Sequence, residues 1–363
     1  MNRYMYYLIF INTVTNMIAN VPRILLLERL NGAIPSIFLA IGAGVFITYI
    51  ILKFFNKYPG KALPELLDRA TPKWFNKLFL AYISVIWFSA GLITLTTCSF
   101  MIKRYLTPDM PLMLIILYFL LFFTYGIFMR TKNILYAIEI ILVVTVPFVL
   151  FIIYKAFSSP YYQIDFVKEA IMYMNVFPSY DAFTASLYLF LGIANLIIFN
   201  RVFTKKITVN WKHLLSIGGI VGSALIITYI VPIGINGFEH VDQIIYPTVT
   251  AADSLKMTFG IVDRVVFLFV TILLIMAFLS TLIHWHVAIN VVTNVIYIKK
   301  FKWKNINLTP HLFIGLFWLA SFYMIPYLSE YQLLKFTNIF LNSLPLFFIL
   351  LFSVFWIITR RVN

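Results

Sequence analysis

Long apolar runs alternate with short polar connections along the whole chain. Ten of the runs reach the roughly 20 residues that a helix needs to cross a hydrocarbon core about 30 Å thick. They are residues 4–27, 34–55, 75–101, 110–129, 135–157, 179–200, 211–235, 261–293, 311–329 and 338–359. Each is predicted to be a membrane helix, and the eighth is long enough to tilt or to project beyond the bilayer. Three connections carry structure of their own. Residues 59–74 predict a short helix on the cytoplasmic membrane surface, with Pro64 in its first turn and Trp74 as an interfacial anchor. Residues 158–178 predict an external amphipathic helix over Asp165 to Met174, closed before Pro178. Residues 236–260 form the longest external loop, with Glu239, Asp242 and Asp253 and a helix over about 247–257.

Within the runs, polar residues cluster. Asn12, Thr13, Thr15, Asn16 and Asn20 interrupt the first run just before Pro22, and Asn12, Thr15, Asn16 and Asn20 recur at helical spacing on one stripe. Amides and hydroxyls at bilayer depth are costly unless they face protein, water or a ligand. They either line a central site, as the broken helices of transporters do, or join helices to one another. The third run holds Thr94, Thr96, Thr97, Cys98 and Ser99. These hydroxyls can bond their own helix one turn back, while Thr94 and Thr97 can also share a cavity wall. Gly192-Ile-Ala-Asn195 in the sixth run is either a helix break or a packing notch. Met276 and Ser280 supply a wall from the eighth run. The candidate small-molecule site is therefore Thr15, Asn16, Asn20, Thr94, Thr97, Gly192, Asn195, Met276 and Ser280.

Composition agrees with the pattern. The chain has 363 residues, 62% hydrophobic and 11% charged, with mean hydropathy +0.93, against roughly 25% charged residues in a soluble domain. The expected fold class is an all-α polytopic membrane protein, one domain over 1–363. The net charge of +15 suggests nucleic acid in a soluble protein. Here about two thirds of the 28 Lys and Arg fall in alternate connections, on the side that also carries both termini. That distribution places both termini in the cytoplasm and makes the charge a matter of topology, with no nucleic-acid partner. Met1-Asn2-Arg3 and the following run are read as a retained first helix.

Candidate chemistry is sparse. The single Cys98 excludes a disulfide framework. His284 and His286, two apart, point to different sides of a helix, which argues against a shared metal site. Glu139 is either a proton or gating site or a helix-end residue paired with Lys132. Asp263-Arg264 reads as a boundary ion pair. Without a Walker loop, HExxH or GxSxG, an enzyme has no nucleophile or metal to start from, and no cofactor is expected.

Ten runs divide as five and five. Five is odd, so the halves (1–157 and 179–363, joined by 158–178) would cross the membrane in opposite senses, the inverted-repeat transporter plan. Ile18-Ala-Asn20 and Ile193-Ala-Asn195 put an amide at the corresponding place in each half.

Tyr58-Pro-Gly-Lys-Ala-Leu-Pro-Glu-Leu-Leu-Asp-Arg69, followed by Lys73-Trp-Phe-Asn-Lys-Leu78, resembles the endospore germination permease family, the B subunits of spore germinant receptors within the amino acid–polyamine–organocation transporter superfamily. Pro22, Glu139-Ile140, Lys205-Lys206 and Tyr246-Pro247 are similar to further family positions. The chain departs at Thr15, where the family usually has glycine, at Arg130 and Tyr136, and after Asp263-Arg264, where Val265 and Val266 follow. The resemblance implies a LeuT-like fold and a small-nutrient site between the first, third, sixth and eighth helices. It also implies assembly with A-type and C-type receptor subunits, and the inner membrane of a bacterial spore. The expected function is germinant sensing. An amino acid's carboxylate would meet backbone N–H groups at a helix break, and its ammonium would meet carbonyls and hydroxyls. The alternative is a proton-coupled amino-acid transporter.

Overall fold

The computed structural model describes residues 3–18, 20–207, 209–256, 264–296, 298, 301–303 and 306–362. Met1, Asn2, Ala19, residues 257–260 of the long loop and residues 261–263 at the start of the eighth run, Asp263 among them, lie outside the described residues. The first half comprises α1 (Arg3–Ile18), α2 (Val21–Leu27), α3 (Ala33–Phe55), α4 (Leu63–Ala70), α5 (Lys73–Tyr105), α6 (Leu112–Ile127) and α7 (Thr131–Phe157). After the connecting α8 (Ile164–Ile171) come α9 (Tyr180–Tyr188), a 3-10 stretch Leu189–Asn195, α10 (Leu196–Phe199), α11 (Trp211–Asn236), α12 (Pro247–Asp253), α13 (Val265–Val295), α14 (Thr309–Met324) and α15 (Glu330–Arg361). Strand pairing among the described residues is confined to β1 (Lys302–Trp303) against β2 (Ile306–Asn307) and one bridge, Lys256 to Arg264.

Eight helical segments are long and apolar enough to cross a membrane, and α1 and α2 meet at 53° as a bent pair. The 16-residue α6 is apolar but shorter. The chain is a helical membrane protein.

Several elements differ from their hydropathy limits for local reasons. The last helix starts at Glu330, well before the apolar run. Ser329 accepts from the Gln332 N–H while the Gln332 side chain accepts from the Ser329 N–H, a capping box that outweighs the polar first turns. The expected helix over 247–257 ends at Asp253. The amphipathic helix in the connection covers Ile164–Ile171 and tightens into a 3-10 turn over Met172–Asn175. α4 packs onto the bundle: Leu63, Leu66, Leu67 and Ala70 are buried, Glu65 pairs with Arg201 at 2.7 Å, and Asn200 donates to the Tyr58 and Lys61 carbonyls.

The sixth apolar run, α9 through α10, is almost wholly buried and forms the axis of the bundle. α5 and α13 make the most extensive helix pair. Gly91 leaves room for the Trp285 ring, whose Nε1 donates to the Phe88 carbonyl, and Ser84 donates to the Ala288 carbonyl. Small residues and cross-helix hydrogen bonds of this kind hold helices together where lipid offers no hydrophobic drive.

A polar staple ties α9 to α15. The Asp181 carboxylate accepts from the Asn338 and Asn342 amides at 2.8 and 2.7 Å, and Thr184 donates to Asn342 Oδ1. Asp181→Ala should cost about 2 kcal/mol, the scale of hydrogen bonds to a charged acceptor. A lowered melting temperature in detergent would register it; an unchanged one would mean the staple contributes nothing.

Candidate functional site

The polar stripe of the first run falls where α1 gives way to α2. Asn20 precedes α2 and donates to Thr97 Oγ1 on α5 at 2.8 Å. Thr15, near the end of α1, donates to the Ile11 carbonyl and also lies 3.2 Å from the Met276 carbonyl on α13. Thr94 and Thr97 each donate to the carbonyl one turn back, at 2.9 and 2.8 Å, which leaves their oxygen lone pairs as acceptors. Thr15, Thr94 and Thr97, with Cys98, Met101, Leu273 and Ala277, line one small cleft. Its volume of about 10 Å³ is about that of one water site. The centre of the bundle is thus polar, buried and nearly closed.

Other candidates lie elsewhere. Asn16 is turned along α1, donating to the Asn12 carbonyl and side-chain oxygen. Gly192 sits in the 3-10 stretch, yet its direct role is a close approach to α1. A Cβ there would stand 2.8 Å from Ile9 Cα and 3.0 Å from Asn12 Cβ. Asn195 accepts from Trp87 Nε1 at 2.7 Å and donates to the Gly192 carbonyl at 3.1 Å. Met276 adjoins the cleft through its carbonyl but does not line it. Ser280 is engaged by His284, whose Nδ1 lies 2.6 Å from the Ser280 carbonyl. Glu139 is remote from the cleft and does not pair with Lys132: its carboxylate is 3.0 Å from Arg3 and accepts from the Tyr4 hydroxyl at 2.9 Å. His286 points away from the centre, bonded to Thr131 and the Ile127 carbonyl.

Both ends of α1–α2 are latched. At the end rich in Lys and Arg, Arg3 and Tyr4 hold α7 through Glu139, and Tyr6 bonds His213 on α11. At the opposite end, Arg23 and Arg29 are 6% and 8% exposed and grip the loop between α11 and α12. Arg29 donates to the Phe238 and Glu239 carbonyls at 2.8 Å each and pairs with Asp242 at 3.0 Å. Arg23 donates to the Asp242 carbonyl.

Sequence reasoning missed several participants. Asn12 donates to the Tyr188 and Leu189 carbonyls and Thr13 to the Leu189 carbonyl, so they serve the 3-10 stretch that lacks its own α-helical ladder. Their signal was present, since they sit in the same polar cluster. Leu273 and Ala277 line the cleft in place of Met276 and Ser280: Met276 is the neighbour of Ala277, one position round the helix, and Ser280 lies three residues, about one turn, further along, a choice that spacing alone does not fix. Larger cavities exist, but one of about 50 Å³ by Met17 and Phe269 and one of about 390 Å³ by Tyr7 and Pro147 are lined almost wholly by apolar groups. Among the described residues no group of His, Cys, Asp and Glu is placed to hold a metal ion. A family model for spore germination proteins, the spore permeases, matches residues 3–324. No curated protein matches the chain.

Proposed function

The chain belongs to the spore germination permease family, and from that membership we propose that it is the permease-like subunit of a germinant receptor. It would bind a small nutrient, an amino acid being the best fit, and trigger germination. The observation that carries this reading is the cleft at the α1–α2 junction, where three threonines and the Asn20 amide converge in an otherwise apolar bundle. The bent pair, α6 and the eight longer segments give ten crossings in this reading, arranged as two inverted sets of five with a LeuT-like plan. The Lys and Arg end faces the cytoplasm of the spore, with the chain in the inner membrane. The cleft is too small for an amino acid, so the conformation is the closed one. Nutrient binding opens it, shifts the bundle between two states, and A-type and C-type subunits read the shift. No catalysis or cofactor enters this account.

Thr94→Val tests it. The substitution keeps the shape and removes a hydroxyl whose one partner among the described residues is its own helix. Spores carrying it should need about tenfold more of the cognate nutrient, the scale of one lost hydrogen bond, with normal levels of the protein. An unaltered response across a nutrient panel sinks the site. Uptake of labelled amino acid by the isolated chain would instead make it a transporter.

A further inference from the structure

The end of the bundle rich in Lys and Arg holds a second, larger pocket. It has a volume of about 240 Å³ and is lined by the turn between α6 and α7, the last turns of α13 and the start of α14. Its polar wall is Arg130, Thr131, His286, Asn290 and Thr293, and no carboxylate among the described residues lines it. Arg130 is exposed and has no ion-pair partner among the described residues.

His286, 3% exposed, is the floor. Its Nδ1 lies 2.9 Å from the Ile127 carbonyl, which can only accept, so Nδ1 carries the proton. Nε2 is then an acceptor for the Thr131 hydroxyl at 3.0 Å and the Asn290 amide at 3.3 Å. The Asn290 amide also donates to the His286 carbonyl. Thr131 and Asn290 are left with acceptor oxygens, beside the donors of Arg130. The wall therefore suits an anionic group that carries its own hydroxyl donors.

The pocket does not end there. Phe128 also belongs to a long apolar groove between α6 and α14, which runs from Phe128 and His311 past Gly315 to Leu319 and Phe322. His311 stacks on Phe128 with ring centres 4.2 Å apart. The one polar pair in the groove, Trp318 Nε1 to Thr124 Oγ1, is satisfied internally at 2.9 Å. From His311 to Phe322 the groove spans about 16 Å of helix, about half the hydrocarbon thickness, which is the depth of one leaflet.

We propose that these two cavities together form a specific site for an anionic phospholipid. Its phosphate sits against Arg130, the hydroxyls of its head group face Thr131 and Asn290, and one acyl chain lies in the α6–α14 groove. Neither a free anion nor an acyl chain alone uses both parts. Because His286 also packs against Phe199 of α10, at 5.7 Å between ring centres, the lipid would brace the segment that leaves the 3-10 stretch.

The test uses the full chain, purified in mild detergent, with bound lipid counted by native mass spectrometry after incubation with phosphatidylglycerol or phosphatidylcholine. Arg130→Gln should weaken phosphatidylglycerol retention about tenfold, the scale of one charge-assisted contact, whereas Lys132→Gln, with the same loss of charge, should retain it. Gly315→Phe fills the groove at a position where an added Cβ meets nothing within 4 Å, and should also lose the lipid while the chain stays folded and monodisperse. Equal retention of the two lipids, or no effect of either Arg130→Gln or Gly315→Phe, overturns the proposal. Competition by inorganic phosphate that is indifferent to Gly315→Phe would overturn it in favour of a simple anion site.

Discussion

Gly192→Ala should destabilise the protein by about 3 kcal/mol, near the upper end of what overpacking costs in a well-filled core. The added methyl would collide with the Leu8 carbonyl and press on Ile9 Cα and Asn12 Cβ. These are backbone and near-backbone atoms, so no side-chain rotation relieves the clash. Relief requires moving α1 away from the sixth segment, which would also stretch the Asn12 bonds to the Tyr188 and Leu189 carbonyls and so leave carbonyls at the start of the 3-10 stretch without their donor. The measurement is thermal unfolding in detergent, with Gly219→Ala as the control, because a Cβ at Gly219 meets nothing within 4 Å. If the two variants melt alike, the close approach of the two segments is wrong.

Arg29→Gln should have an effect of similar size but a different character. Removing one member of a buried charged pair costs about 3–5 kcal/mol because the other partners are left unsatisfied. Asp242 is partly exposed and recovers some solvation, so the lower figure applies. The damage should be local: the loop from Gly237 to Tyr246 loses the donors to its two carbonyls and its ion pair together. Amide hydrogen exchange over that loop should accelerate by about two orders of magnitude, with the α5–α13 pair little changed. Arg29→Lys should not restore protection, because a point-like ammonium cannot span two carbonyls and a carboxylate as a guanidinium does. Unchanged exchange in the loop would show that the arginine does not hold it down.

These two positions illustrate what could be read from the chain and what could not. The apolar runs were legible because a helix in lipid must be apolar over its whole length, and every long helix falls on one of them. The polar cluster from Asn12 to Asn20 was legible as a cost needing an explanation, and the structure places it at the α1–α2 bend, with Thr15 on the cleft wall and Asn20 tied to that wall through Thr97. Partners were not legible. Glu139 could have reached Lys132 two turns away or Arg3 more than a hundred residues away, and helical spacing is silent about neighbours from other helices. The cavity wall failed in the same way: Met276 lies one residue from the lining Ala277 and Ser280 one turn beyond it, and hydrophobic residues surround α13 on every side, so no amphipathic stripe marks which face turns inward. Arg23 and Arg29 carry no signal in sequence, because an arginine near a helix end is indistinguishable from an interfacial charge, and only the fold brings the Phe238, Glu239 and Asp242 carbonyls to them. The lipid groove is invisible in sequence, since α6 and α14 are far apart in the chain and each is apolar without distinction.

The 3-10 geometry of Leu189–Asn195 has a mechanical consequence. A 3-10 helix rises about 2.0 Å and turns 120° per residue, where an α-helix rises about 1.5 Å and turns 100°. Rewinding those seven residues into α-helix would shorten the segment by about 3.5 Å and unscrew its far end by roughly 140°. Asn195 would swing off the indole of Trp87, and α10 would be drawn inward like a bolt. A change in winding over two turns would thus act as a short-stroke actuator, converting a local rearrangement at mid-depth into an axial displacement at the membrane surface.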